Sequence, residues 1–127
     1  MAEQVREGRT VLVVEDELPL RRFVVRALGK RDYRVIEAEN GVAALELLDD
    51  DGAAIDLVLS DIMMPGMDGE ELLRTILDRR PDVRVIMTSG HDESILRGSI
   101  DQRDGVLFLP KPFSLNELLD KVDEAFI

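Results

Sequence analysis

The chain predicts a doubly wound α/β domain built on a parallel sheet. Short apolar runs alternate with amphipathic segments along the whole sequence, the pattern of strand–helix units. The runs Val11-Leu12-Val13-Val14, Leu57-Val58-Leu59 and Val106-Leu107-Phe108-Leu109 are almost continuously apolar, as suits strands covered on both faces. A length of 127 residues is enough for one domain with a real core.

Strands are expected over residues 10–14, 33–38, 56–60, 84–88 and 106–109. The first helix begins near Pro19, a good first-turn residue, and Leu20, Phe23, Val24, Ala27 and Leu28 keep helical spacing until Gly29 helps end it. The second follows Asn40 as N-cap and buries Ala44, Leu45 and Leu48. The third starts at Asp68 with Glu71 in a capping box, buries Leu73, Ile76 and Leu77, and stops before Pro81. A weaker fourth spans 92–103, with Ile95, Leu96 and Ile100 as its few apolar positions and Gly98 inside. The last is opened by a Ser114/Glu117 capping box and buries Leu115, Leu118, Leu119, Val122 and Phe126. Residues 1–9 read as a mobile tail and 10–127 as the folded domain.

Composition narrows the chemistry. The absence of cysteine excludes disulfides, thiolate metal sites and a cysteine nucleophile. A net charge of −11 argues against direct binding to nucleic acid or an anionic membrane. No apolar run reaches the roughly 20 residues of a membrane span, and the polar start lacks a signal-peptide centre. A cytoplasmic protein is expected.

The charged residues that follow the strands carry the functional signal. Glu15-Asp16-Glu17 follows the first apolar run, Asp61 the third, and Lys111, set between Pro110 and Pro112, the fifth. In a parallel sheet these ends lie along one carboxyl edge, where such folds bind ligands. Converging carboxylates repel one another and call for a cation. Magnesium fits, since it takes carboxylate, carbonyl and water oxygens. Lys111 would supply a point charge for an anion beside Asp61. Thr88 and Ser89 end the fourth run, and either hydroxyl could donate to a phosphoryl oxygen. Individually these residues have plainer readings: helix-capping acids, a turn aspartate before Pro65-Gly66, a surface lysine. Together they favour a metal-assisted aspartate nucleophile.

Four signatures, Val13-Val14-Glu15-Asp16-Glu17, Asp61-Ile62-Met63-Met64-Pro65-Gly66-Met67-Asp68-Gly69, Met87-Thr88-Ser89-Gly90 and Leu109-Pro110-Lys111-Pro112-Phe113, closely resemble those of the receiver domains of two-component response regulators and hybrid histidine kinases. The resemblance covers residues 10–127. It implies a flavodoxin-like five-stranded parallel sheet of order 2-1-3-4-5 with five helices. It also implies that Asp61 is the phosphoacceptor and that Glu15, Asp16, Asp61 and the Met63 carbonyl form the Mg2+ site, with Asp16 a direct ligand. Lys111 would contact the phosphoryl group, with a cis bond after it usual in the family. Ser89 is the preferred switch hydroxyl, Thr88 the alternative, and Phe108 the switch aromatic. The implied partners are a histidine kinase or a histidine phosphotransfer protein. A second copy could pair through the fourth helix, last strand and fifth helix. The segment 99–105 departs from the family's common Gly-Ala-Asp ending, and the sequence around Thr88-Ser89-Gly90-His91 looks most like receivers of hybrid kinases.

On this reading the chain is a phosphoaccepting signalling domain with intrinsic self-dephosphorylation, and any kinase activity would lie elsewhere in a larger protein. A stand-alone aspartate-nucleophile phosphatase would typically want an acid at position 63, which is Met. A flavin-binding module would want a hydroxyl-rich phosphate loop where Glu15-Asp16-Glu17 stands. The remaining alternative is a receiver-fold docking module that signals without phosphorylation.

Overall fold

A computed structural model describes residues 8–50, 54–61, 69–89 and 106–126. Five parallel strands form one sheet: β1 (Thr10–Val14), β2 (Arg34–Ala38), β3 (Leu57–Asp61), β4 (Arg84–Ser89) and β5 (Val106–Pro110). Their order is β2-β1-β3-β4-β5, as expected. Four helices lie among the described residues: α1 (Leu18–Lys30), α2 (Gly41–Asp49), α3 (Gly69–Arg79) and α4 (Leu115–Ala125). The helix expected over 92–103 and the Asp68 cap fall outside the described residues.

Strand alternation divides the core into two layers. Leu12, Val14, Val58, Val85, Met87 and Phe108 pack on one face with Ala44 and Leu48 of α2 and Leu72, Leu73 and Ile76 of α3. Val11, Val13, Leu57, Leu59, Ile86 and Leu109 pack on the other with Val24 and Leu28 of α1 and Leu118 and Val122 of α4. With both faces covered, successive strand residues are buried whichever way they point, which is why the runs are continuously apolar.

The helix starts follow their local chemistry. The Ala43 N–H donates to Asn40 Oδ1 at 2.8 Å. Ser114 and Glu117 make the reciprocal capping box, at 3.1 and 3.0 Å. The end of α1 differs from expectation. Gly29 stays inside the helix, and the residue in the left-handed region is Asp32, at φ 68°. Aspartate tolerates that conformation better than most residues. The reversal lets the Tyr33 N–H return to the Leu28 carbonyl at 3.3 Å. The Tyr33 hydroxyl then donates to Asp123 of α4 at 2.7 Å, beside the Arg31–Asp123 ion pair at 2.8 Å.

Two expected core residues lie on the surface. Phe23 is 41% and Leu115 46% exposed. Each is at the edge of its helix's apolar stripe, whose centre is Val24, Ala27 and Leu28 in α1 and Leu118, Leu119 and Val122 in α4. Conversely Leu72, outside the apolar set expected for this helix, is fully buried.

Candidate phosphoacceptor site

Register brings the site together. Val14 of β1 pairs with Ser60 of β3, so Glu15 comes level with Asp61. Asp61 itself ends β3 and pairs with Thr88. Ser89 pairs with Pro110, and Lys111 follows directly. Carboxylate oxygens of Glu15, Asp16 and Asp61 lie within 4.8 Å of one another. The Lys111 Nζ donates to Glu15 Oε1 at 2.9 Å and to Asp61 Oδ2 at 3.0 Å. The Lys111–Pro112 peptide is cis.

Glu15 and Asp61 are buried, whereas Asp16 is exposed at the mouth of the cluster. The Glu15 carboxylate is held from two sides, by Lys111 and by the Glu17 N–H at 3.1 Å. Burial nevertheless pushes its pKa above the ordinary carboxylate range, and the Asp61 charge adds to the shift. Partial burial works against the Lys111 ammonium, but its bonds to Glu15 and Asp61 outweigh this and raise its pKa above the usual lysine value. Three carboxylates against one ammonium leave these four groups acidic by two charges when all are ionised. An all-oxygen donor set with that excess fits a hard divalent cation. The Met63 carbonyl, expected to complete the set, lies outside the described residues.

Thr88 and Ser89 occupy the last two positions of β4. Thr88 is buried and its Oγ1 donates to the Ser60 carbonyl over a long 3.5 Å. It lines a small cavity with Val13, Leu59, Val24 and Phe113, on the α1/α4 side of the sheet, and the site acids Glu15 and Asp61 border the same cavity. Phe108 is packed on the α2/α3 side. Ser89, one residue after Thr88, ends β4 opposite Pro110.

Two features went unread in the sequence. Arg21 of α1 donates from Nη1 to the Glu15 carbonyl at 2.8 Å and from Nε to Glu37 Oε1 at 3.1 Å. Beside Lys111 runs an open groove of about 480 Å³, lined by Glu17, Leu20, Phe23, Lys111, Pro112 and Phe113. The signal for the first was Arg21's place one turn after Glu17. The signal for the second was Phe23 at the margin of an otherwise aliphatic stripe.

The parallel sheet thus gathers three acids and a lysine at its carboxyl edge. Residues 11–123 match the family model of the response regulator receiver domain, and the chain belongs to that family. It is 45% identical to the sensor kinase CckA of Brucella abortus (strain 2308) over 123 residues, 97% of this chain but 13% of the kinase. It is 34% identical to the response regulator receiver protein CpdR of the same organism, covering 94% of this chain and 98% of CpdR. The crystal structure of the receiver domain from the hybrid histidine kinase CckA superposes with a TM-score of 0.78 at 34% identity, covering 93% of this chain and 99% of that one. A response regulator receiver protein from Sinorhizobium medicae WSM419 gives 0.84 at 29% identity, covering 94% and 95% of the two chains. Among the described residues, no helix is long and apolar enough to cross a membrane.

Proposed function

We propose that this domain takes a phosphoryl group from a phosphohistidine onto Asp61 and signals through the resulting aspartyl phosphate. The observation that carries this reading is the double bond of Lys111 to Asp61 and Glu15 inside an acidic cluster. Like Glu15, Asp61 is buried and bonded to Lys111, but it is Asp61 that lies within a strand, as the last residue of β3 at the centre of the sheet. A carboxylate oxygen of Asp61 attacks phosphorus in line, the P–N bond breaks, and its electron pair returns to the imidazole. Lys111 turns from the carboxylates toward the transferring oxygens and offsets their charge. Asp16, Asp61, Glu15 and the Met63 carbonyl would hold Mg2+. When bound, the ion screens the carboxylates and the phosphoryl oxygens from one another.

We assign Ser89 rather than Thr88 to the switch. Thr88 is buried on the α1/α4 side with its hydroxyl on the Ser60 carbonyl, whereas Phe108 packs on the opposite side. A hydroxyl drawn toward the phosphoryl group vacates space for Phe108, and the surface around β5 changes. Water then hydrolyses the acyl phosphate and resets the domain. The partner is a histidine kinase or histidine phosphotransfer protein, and the groove holding Phe23, Leu20 and Phe113 offers an apolar seat next to Lys111.

Phosphoramidate, a small P–N donor, and a phosphorylated histidine phosphotransfer protein test this reading together. Both should label the wild type in the presence of Mg2+. Phe23→Glu should keep its rate with phosphoramidate and lose most of its rate with the protein donor. No label from either donor would leave the domain as a docking module without phosphorylation.

A further inference from the structure

We infer that Arg21 is a positioning residue of the acidic site: it fixes the backbone of the β1–α1 loop so that Glu15 and Asp16 meet Asp61. The inference rests on the metal-binding reading above and adds to it a residue outside the expected site. Glu15 and Asp16 sit on a short loop immediately after β1. The Glu15 N–H is tied to β2 through the Ala38 carbonyl at 3.1 Å. Its carbonyl is tied to α1 through Arg21 Nη1 at 2.8 Å. Arg21 is itself aimed by Glu37, one residue before Ala38, through Nε at 3.1 Å. The guanidinium therefore links α1, β2 and the acidic loop through one rigid plane. Its side chain is 15% exposed, against 47% for Glu37. A planar fork holds two acceptors at a fixed separation, which a lysine cannot do.

The sign of the effect separates positioning from simple charge. A cation bonded to the Glu15 backbone opposes a nearby divalent ion, so by charge alone its removal would tighten Mg2+ binding. Positioning predicts the reverse, because a loop released at Glu15 must be reordered when the ion binds. Loss of overall stability would move the melting temperature without altering the affinity of the folded protein.

Calorimetric titration with magnesium chloride, accompanied by thermal melts, decides between these. Arg21→Ala should bind about tenfold more weakly than wild type, and Arg21→Lys should recover only part of the loss. Glu37→Ala, a change at a half-exposed side chain that removes the acceptor of Arg21 Nε, should cost about threefold in the wild-type background and nothing further in Arg21→Ala. It keeps the test available if Arg21→Ala does not fold. Folded Arg21→Ala with equal or tighter affinity would overturn the inference. So would an unchanged Glu37→Ala, or an equal Glu37→Ala loss in both backgrounds. A wild type that binds no Mg2+ would remove the metal reading and this inference together, whereas a binding wild type with an unaffected Arg21→Ala removes the inference alone.

Discussion

Replacing Lys111 with methionine should have two effects of opposite sign. The ammonium bonds Glu15 at 2.9 Å and Asp61 at 3.0 Å, and both acids are buried. Each charge-assisted bond contributes about 1.5–3 kcal/mol, and stripping the partner from a buried charge costs about 3–5 kcal/mol. The Lys111 side chain is 21% exposed, so water takes up part of that loss. The expected cost in metal-free buffer is about 2–3 kcal/mol, or about 6–12 °C of melting temperature for a domain of this size. The same substitution deepens the negative potential at the cluster. Mg2+ should then bind about five- to tenfold more tightly, equivalent to about 1–1.4 kcal/mol, and restore part of the lost stability. Phosphoryl transfer should nevertheless slow by about a hundredfold, because the charge opposing the equatorial oxygens is gone. Melts with and without magnesium, calorimetry and a phosphorylation time course read the three quantities. Metal-free stability equal to wild type with unchanged Mg2+ affinity would refute the view that Lys111 is the resting countercharge of Glu15 and Asp61.

Further expectations concern pH and the switch. Folding raises the Glu15 pKa, so its charged form is disfavoured in the folded state, and stability is lost as pH rises from about 4.5 through the folded value. In metal-free melts the wild type should therefore gain on Glu15→Gln as pH falls toward 4.5, and a flat difference would contradict this. Folding also raises the Lys111 pKa, so its contribution is complete below about 10.5 and disappears as pH rises through the folded value; Lys111→Met should lack that alkaline loss. Phe108 is a buried core residue, so Phe108→Leu is a gentler probe than alanine. It should cost about 1–2 kcal/mol and keep phosphate uptake, while partners no longer distinguish the two states. Beryllium fluoride with magnesium should shift amides over 92–109 more than those of α2, and the reverse pattern would rule out this route.

The fold was legible because the central strands β1 and β3 are buried on both faces and the strand–helix junctions carry signals of their own. Asn40 and Ser114/Glu117 cap the helices they were expected to cap. The acids and Lys111 were legible because strand ends in a parallel sheet share one edge, so position along the chain fixes position in space. Arg21 was not legible in this way. It acts through hydrogen bonds to a loop carbonyl and to Glu37, and neither leaves a periodicity or a motif. Phe23 and Leu115 misled because helical spacing does not reveal where a sheet's coverage stops. Gly29 misled because glycine is the usual residue for a helix end, whereas here Asp32 takes the left-handed turn.

The central claim is that Asp61 alone accepts the phosphoryl group. Intact-mass measurement after incubation with acetyl phosphate and Mg2+ tests it most directly. The wild type should gain a single phosphate adduct that requires the metal and decays by hydrolysis, while Asp61→Asn, with its fold confirmed by melting, should gain none. An adduct on Asp61→Asn at wild-type yield, or no adduct on the wild type, would contradict the assignment.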